Sequence, residues 1–424
     1  MDAHPLLRRL FAGLEARRVL WVLLRLPSDF AKPGGDVDLL VAPEDVDALL
    51  EVAEELGFVA LPGWESPPGL ILVAYDRPSD HWLVLDIATA VSFRSSGSWE
   101  LPRGAREVLS RRHLHDSVAL PSEDDAFWLL LAHCLLDDGG VPAHYRGALQ
   151  ALAPRSSGSF VGRATLSAAG GRVEPVVFQE AVLAGDWHSV MELGARLVAD
   201  LKRERSVVES SRATAKRAIR VARKPLLLRR RRGVSVALLG PNGVGKSTLA
   251  AGIQQAFPLG ARVLHMGLWK TAATRPGARV VEILTRPLRL WGRSAVAQYH
   301  QARGRLVIYD RYVYEARLPA KPPLLAAKRL YFWMLGHAVP APDTAVVLDV
   351  AGDVAYGRKQ ENPPEELESE RRVYANLAAN ERSIELVDAS KPADAVRADV
   401  TAIVWDKVAA RWAGGRAGCK PAAD

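Results

Sequence analysis

The stretch at residues 240–247 has residue types and spacing that specify chemistry directly. It reads Gly-Pro-Asn-Gly-Val-Gly-Lys-Ser and fits the pattern G-x-x-x-x-G-K-[ST] without a gap. Glycines at these positions let backbone N–H groups turn inward around phosphate oxygens, and a helix that starts after the loop adds partial positive charge. The stretch therefore predicts a loop that binds the phosphates of a nucleoside triphosphate.

Two side chains in this stretch would complete a phosphate and metal site. Lys246 can reach the β- and γ-phosphates, and the Ser247 hydroxyl can hold Mg²⁺. The residues expected to contact the nucleotide are Gly240, Asn242, Gly243, Val244, Gly245, Lys246, Ser247 and Thr248.

The pattern requires a strand before the loop and a helix after it, and the sequence provides both. Residues 234–239 form an apolar, β-branched run, and residues 248–257 contain good helix formers without proline. Strand and helix signals then alternate, which favours an α/β fold with a parallel sheet covered by helices on both faces. Strands are predicted at 234–239, 262–266, 305–309, 344–350 and 383–387, and helices at 246–256, 279–301, 324–336, 367–380 and 393–410.

Charged residues follow three of these strands, at the edge where such sheets bind ligands. Asp310 is expected to organise Mg²⁺ or an acceptor, and Arg311 to hold an anionic group. Asp349 is predicted either to support this site or to cap a loop. Asp388 ends the last strand, where a nucleotide base would lie.

A polar stretch at residues 356–374 carries many charges of both signs between a strand and a helix. This position is typical of a lid that closes over the nucleotide and brings arginines to the charge on a transferred phosphoryl group. Arg358 and Arg371 are the candidates, followed by Arg372. The alternative interpretation is a charged surface helix.

The residues from 233 to about 407 resemble the thymidylate kinase family of P-loop kinases. The phosphate loop, the Asp310-Arg311-Tyr312 element, the strand at 342–350 and the segment from Arg358 through Arg371 to Tyr374 match in order and spacing. The resemblance implies Mg²⁺-dependent transfer of the ATP γ-phosphate to thymidine monophosphate. It also implies that Arg311 holds the acceptor phosphate, that Arg358 and Arg371 lie over the donor phosphates, and that a homodimer forms.

Two segments depart from this family. Residues 269–278 replace an Arg-Glu-Pro-Gly-Gly element and lack its acid and second glycine, and residues 313–317 read Val-Tyr-Glu-Ala-Arg. Both segments shape the acceptor pocket in the family. The acceptor therefore stays open between thymidine monophosphate, another nucleoside monophosphate, another small phosphorylated compound, and a sugar or other hydroxyl.

A second carboxylate pattern lies near the start of the chain. Asp36 and Asp38 are two residues apart on a predicted strand, and Asp86 ends another apolar run. Three such carboxylates could hold two Mg²⁺ ions for nucleotidyl transfer. Residues 20–100 resemble the polymerase-β-type nucleotidyltransferase superfamily, although residues 24–29 replace its triphosphate-holding Gly-Ser or Gly-Gly. An active transferase, a degenerate substrate-binding or regulatory domain, and surface acids on a turn are the alternatives.

Charge and length divide the 424-residue chain into parts. Residues 202–232 contain thirteen Lys and Arg against two Glu, so the net charge of +8 leaves −3 for the remainder. The predicted parts are a nucleotidyltransferase-like α+β domain at 1–118, a helical region at 119–201, a basic linker helix at 202–232, a thymidylate kinase-like domain at 233–411 and a flexible tail at 412–424.

The basic linker is predicted to be solvated or to contact an anionic surface, either a membrane or an anionic substrate. Because it lacks interleaved aromatic residues, nucleic acid is not the expected partner. Cys134 and Cys419 form no motif, and the apolar run at 19–24 is too short to span a membrane, so the expected location is the cytoplasm.

Three functions remain open from the sequence. The leading one is an ATP- and Mg²⁺-dependent kinase that acts on a nucleoside monophosphate or another small phosphorylated acceptor. The second is a nucleotide-gated switch, and the third is a kinase that also transfers nucleotidyl groups through Asp36, Asp38 and Asp86.

Overall fold

A computed structural model of the chain divides it into two compact units. They comprise Met1–Lys224 with Pro421–Asp424, and Pro225–Lys420. The structure describes residues 2–27, 29–61, 69–93, 99–101, 103–156, 159–204, 233–267, 276–318, 325–337 and 339–413. None of the helices within these ranges is both long and apolar enough to cross a membrane.

Some predicted segments lie outside the described residues. These are the basic linker from residue 205 to 232, the tail from 414, and residues 269–275 of the segment that departs from the family. The contact of the linker with an anionic surface, and the homodimer, both stay predictions.

The first unit contains a five-stranded mixed sheet in the order β1-β2-β5-β4-β3. Its strands are β1 (Trp21–Leu23), β2 (Val37–Val41), β3 (Val59–Ala60), β4 (Gly69–Asp76) and β5 (His81–Ala88). Strands β2 and β5 run parallel, and the other neighbours run antiparallel. The predicted buried strand within residues 19–24 is confirmed as β1, whose three residues are all buried.

Two apolar cores lie on the two faces of this sheet, because successive side chains of a strand point to opposite sides. Leu39 packs with α1 (Pro5–Ala16) and α2 (Val46–Glu55), whereas Leu40 packs with the helices that follow the sheet. Those helices are α3 (Gly104–Ser110), α4 (Glu123–Leu136), α5 (Ala143–Leu152), α6 (Phe160–Ala168), α7 (Pro175–Leu183) and α8 (Trp187–Glu204). Two short antiparallel pairs, β6 (Ser92–Phe93) with β7 (Trp99–Glu100) and β8 (His113–His115) with β9 (Val118–Leu120), complete the unit.

The second unit contains a five-stranded sheet, β11-β12-β10-β13-β14, in which every pair is parallel. Its strands are β10 (Ser235–Leu239), β11 (Ala261–His265), β12 (Leu306–Asp310), β13 (Thr344–Asp349) and β14 (Ile384–Asp388). Its helices are α9 (Lys246–Ala256), α10 (Pro276–Ala302), α11 (Leu325–His337), α12 (Gly352–Arg358), α13 (Pro364–Asn380) and α14 (Ala393–Ala413). The five predicted strands and the α/β class are confirmed, whereas α12 was not predicted.

Helices cover both faces of this parallel sheet. Right-handed crossovers place α9 and α14 on one face, where they pack together, and α10, α11 and α13 on the other. The latter three contribute to one buried cluster with the sheet. The chain reverses its direction across the sheet beside β10, so a crevice forms at the carboxyl ends of β10 and β12. Gly240 and Asp310 lie at these two strand ends.

At the amino ends of the strands, one carboxylate, that of Asp343, connects several elements of this unit. The backbone N–H and hydroxyl of Ser235 donate to its Oδ2 at 2.7 and 2.9 Å, and Gln301 donates at 3.1 Å. Arg411 donates to Oδ1 at 2.5 Å. Burial alone would raise the pKa of Asp343, but the Arg411 and Ser235 hydrogen bonds lower it below 3.8. This carboxylate ties the start of β10 to α10, to α14 and to the segment before β13.

We expect Asp343→Ala to lower the free energy of unfolding of the second unit by about 3 kcal/mol, because its donors lose their shared acceptor. Calorimetry should show a lower melting temperature for one transition only. Because the lowered pKa makes Asp343 stabilising above pH 3.8, the gap to the wild type should close as the pH falls below that value.

Asp399→Ala is the matched control, because its ion pair with Lys391 at 2.8 Å is half exposed. We expect this change to cost less than about 1 kcal/mol. Equal melting temperatures for the two variants would contradict a joining role for Asp343.

Candidate active site

The phosphate loop between β10 and α9 has a backbone that requires glycine. Gly240, Gly243 and Gly245 have φ values of +132°, +85° and +97°. A Cβ on Gly243 would lie 2.3 Å from the Ala355 carbonyl oxygen, and one on Gly240 would lie 2.9 Å from the Leu348 carbonyl oxygen. The loop therefore packs directly against the backbones of α12 and β13.

Lys246 opens α9 and is folded back over the loop. Its side chain is buried, and Nζ donates to the carbonyl oxygens of Gly240 at 2.7 Å and Pro241 at 2.6 Å. Burial, helped by the nearby Arg311 charge, lowers the pKa of Lys246 to about 8. Two neutral carbonyls compensate an ammonium only partly, so an anionic phosphate in this loop would favour the protonated form.

Ser247 and Asp310 meet at the crevice. The Ser247 hydroxyl donates to Asp310 Oδ2 at 2.9 Å, although the two residues come from α9 and β12. His265 ends β11 as the strand partner of Asp310, and its Nδ1 lies 3.9 Å from Asp310 Oδ2. Interaction with His265 lowers the pKa of Asp310 against the effect of burial, and the Ser247 hydrogen bond lowers it further. Asp310 is therefore held as a carboxylate.

This pair of oxygen ligands fits a magnesium ion. Asp310 Oδ1 is buried and has no hydrogen-bond partner among the described residues. A buried carboxylate oxygen without a donor is costly unless something binds it. Mg²⁺ takes hard oxygen ligands and keeps positions for water and phosphate oxygens. Ser247 and Asp310 would hold such an ion beside a phosphate in the loop.

Arg311 lies next to this pair in a left-handed backbone conformation, with φ of +68°. Its Nη1 donates to Glu315 at 2.7 Å, and its Nη2 donates to Asn242 Oδ1. Glu315 is buried and comes from the 3₁₀ turn Val313–Arg317. Arg311 is thus fixed between the phosphate loop and this turn.

The predicted lid arginines occupy different positions. Arg371 forms a two-bond ion pair with Asp349, from Nε at 2.6 Å and Nη2 at 3.1 Å, and also donates to Glu368. Arg358 ends α12, the helix against which Gly243 packs, and donates to the Ala389 carbonyl at 3.2 Å. Arg372 is largely exposed. The structure thus brings the helix of Arg358 to the phosphate loop and holds Arg371 at the end of β13.

Asp388 lies at the far edge of the sheet. Its Oδ1 accepts from the Ser390 backbone at 2.9 Å and from the Ser390 hydroxyl at 2.5 Å. These bonds form a turn after β14, and they lower the pKa of Asp388. The Asp388 carboxylate therefore stabilises the turn that follows β14.

The carboxylates of the first unit are arranged differently. Asp38 and Asp86 are strand partners on parallel β2 and β5, and Asp36 precedes β2. Arg25 contacts Asp38 Oδ2 from Nη2 at 2.7 Å and from Nε at 3.2 Å. Among the described residues, no group of three His, Cys, Asp or Glu could hold a metal ion. These residues do not fit the two Mg²⁺ ions that the resemblance implies.

Sequence reasoning did not identify His265, the pairing role of Glu315, or the contact of Arg25 with Asp38. His265 is the penultimate residue of the predicted strand at 262–266, so the rule that ligands bind at strand ends points to it once β11 and β12 are known to be neighbours. Glu315 lies four residues after Arg311 in the sequence. The contact of Arg25 depends on the pairing of β1 with β2, which the sequence does not specify.

Two solved structures of kinases are similar to part of the chain. Thymidylate kinase from Candida albicans has 18% identity and a TM-score of 0.33, over 42% of this chain and 94% of that one. Deoxyadenosine kinase from M. mycoides with bound dATP has 12% identity and a TM-score of 0.30, over 40% of this chain and 98% of that one. No protein-family model matches the chain, and no curated protein matches it. With TM-scores of 0.33 and 0.30, these two structures do not indicate a function for this chain.

We expect Gly243→Ala to weaken binding of Mg-ATP about tenfold or more, because the added Cβ would push the loop away from the Ala355 carbonyl. Isothermal titration calorimetry measures this loss. Gly292→Ala is the matched control, since, apart from its chain neighbours and the backbone of its own helix, no atom of the described residues lies within 4 Å of its Cβ position in α10. It should leave binding unchanged. Equal affinities for the two variants would show that the packing of the loop on α12 is dispensable.

Proposed function

We propose that the second unit is an ATP- and Mg²⁺-dependent kinase of the thymidylate kinase type. It transfers the γ-phosphoryl group to a nucleoside monophosphate or another small phosphorylated acceptor, and thymidine monophosphate is the first acceptor to test. The observation that carries this proposal is the meeting of Lys246, Ser247 and Asp310 at one strand-end crevice, beside Arg311. Phosphoryl transfer needs mainly positioning and charge compensation, which these groups provide.

The donor side is built by the loop and α9. Backbone N–H groups of the loop hold the β- and γ-phosphates, and Lys246 exchanges its two carbonyl partners for phosphate oxygens. Ser247 and Asp310 would hold Mg²⁺, which would neutralise charge on the phosphates. Asp310 Oδ1 would then gain the partner that the described residues do not give it.

The acceptor side is assigned to Arg311. Glu315 and Asn242 fix the direction of its guanidinium beside the donor site, so little side-chain entropy is lost when an acceptor phosphate binds. A guanidinium is suited to a phosphate because it can donate two parallel hydrogen bonds. Arg311 would thus align the acceptor with the γ-phosphate.

Arg358 and Arg371 would stabilise charge on the transferred group, but they differ in how easily each can leave its present hydrogen-bond partners. Arg358 holds a neutral carbonyl oxygen, which an anionic phosphate can replace at low cost. Arg371 would have to leave the Asp349 and Glu368 carboxylates. We therefore place Arg358 nearer to the donor phosphates than Arg371.

The function is tested by ADP production from Mg-ATP with a panel of nucleoside monophosphates, nucleosides and phosphorylated sugars. We expect an acceptor to stimulate turnover strongly, Lys246→Ala to abolish it, and Arg311→Ala to lower it about 100-fold. Arg372→Ala is the matched arginine control, because Arg372 is largely exposed. It should retain activity. ATP binding without any acceptor-dependent turnover would replace the kinase with a nucleotide-gated switch.

The buried ammonium of Lys246 makes ATP affinity depend on pH. Only the protonated form compensates the phosphates, and its pKa is about 8 before binding. Affinity should be constant below pH 8 and fall about tenfold per pH unit between pH 8 and 9.5, because the proton must then be taken up on binding. Titration calorimetry in buffers of different ionisation enthalpy measures both affinity and proton uptake.

Lys246→Arg provides the control for this pH dependence. A guanidinium stays protonated across the whole range, so this variant should bind ATP with an affinity that does not change between pH 7 and 9.5. An equally steep fall for the wild type and Lys246→Arg would assign the pH dependence to another group.

A further inference from the structure

The first unit presents two carboxylates side by side on one face of its sheet. Asp38 and Asp86 are strand partners on parallel β2 and β5, so their side chains point to the same side. Both residues are partly buried, and Leu40 of the same face packs into the helical core. Neighbouring carboxylates at such a place repel each other, and a positive charge beside them relieves this repulsion. Either a metal ion or a basic side chain can provide it.

In this structure the positive charge is a side chain of the same chain. Arg25 donates to Asp38 Oδ2 through Nη2 at 2.7 Å and through Nε at 3.2 Å. The neighbouring Leu24 backbone N–H donates to the Asp38 carbonyl at 2.9 Å, which extends the pairing of β1 with β2 to this point. Arg25 is therefore directed at the carboxylate by strand pairing.

A tethered guanidinium is a strong competitor for a metal ion. Because β1 holds Arg25 beside Asp38, its effective concentration at the carboxylate is on the order of millimolar or more. Mg²⁺ loses its water reluctantly and gains little from a carboxylate oxygen that is already engaged. Arginine also stays charged at every physiological pH, so acidification or alkalinisation does not vacate the place.

The segment that contains Arg25 also affects whether a triphosphate can bind. Residues 24–29 stand where the nucleotidyltransferase resemblance expects the small Gly-Ser or Gly-Gly pair that lets a triphosphate approach the backbone. Here that segment supplies a large side chain, that of Arg25, which contacts the Asp38 carboxylate. Arg25, which occupies the metal position, thus belongs to residues 24–29, the segment that would have to make room for the nucleotide.

We propose that Arg25 takes the place of a metal ion at the Asp38–Asp86 face, and that the first unit does not carry out two-metal nucleotidyl transfer. Of the open interpretations for this unit, a degenerate substrate-binding or regulatory domain and surface acids on a turn remain. The bifunctional alternative, with nucleotidyl transfer through Asp36, Asp38 and Asp86, is thereby set aside. This inference is independent of the kinase proposed for the second unit.

The test measures Mn²⁺ binding to the full chain without nucleotide, by electron paramagnetic resonance. Asp310→Asn is included in every sample, to remove the candidate metal ligand of the second unit. We expect weak or no binding with Arg25 present, and binding about tenfold tighter or more in Arg25→Ala. Asp38→Asn added to Arg25→Ala should abolish the gain, and Arg25→Lys should not produce it.

Two results would overturn the proposal. The first is Mn²⁺ binding in the Arg25-containing chain that disappears with Asp38→Asn, and the second is an Arg25→Ala chain that gains no Mn²⁺ affinity. If Arg25→Ala is unfolded when purified, its circular dichroism spectrum with and without Mn²⁺ gives the readout. Recovery of folding by Mn²⁺ supports the proposal, and failure to recover contradicts it.

Discussion

The close approach of the phosphate loop to the backbones of α12 and β13 is the constraint on which the candidate active site depends. Gly243 and Gly240 pass so near to the Ala355 and Leu348 carbonyls that no side chain fits between them. This packing sets the left-handed turns that aim N–H groups inward, and it sets where α9 begins. Lys246 and Ser247 then fall opposite the end of β12, since β10 and β12 are direct neighbours.

Several charged side chains in this site have neutral partners that a ligand can replace. Lys246 rests on carbonyl oxygens, Asp310 accepts from a hydroxyl, and Arg358 holds another carbonyl. Neutral partners such as these are weaker than ionic ones, so a phosphate or a cation can replace them. Arg371 differs, because two carboxylates already hold it. The site thus keeps some charges available for a ligand and commits others to the protein.

Local patterns in the sequence predicted the five strands, the phosphate loop and the position of Asp310 at a strand end, because each is encoded by residues close together. Contacts between distant residues were not predictable. The pairing of Arg25 with Asp38 depends on which strands are neighbours and in what register, and the pairing of Asp349 with Arg371 depends on how α13 packs against β13. Helix α12 was missed because it has only seven residues and begins with glycine. Its Gly352 is needed where a Cβ would lie 2.6 Å from the Pro364 carbonyl.

The two units treat the same arrangement, a carboxylate on a strand beside a second functional group, in opposite ways. Asp310 faces a hydroxyl and keeps one buried oxygen that no donor among the described residues reaches, so that oxygen is available to a cation from outside the protein. Asp38 faces Arg25, which follows the neighbouring strand β1, so its positive charge is built into the chain. A carboxylate motif alone does not separate these outcomes. The residues that neighbouring elements place beside the carboxylate decide whether it remains available to a metal ion.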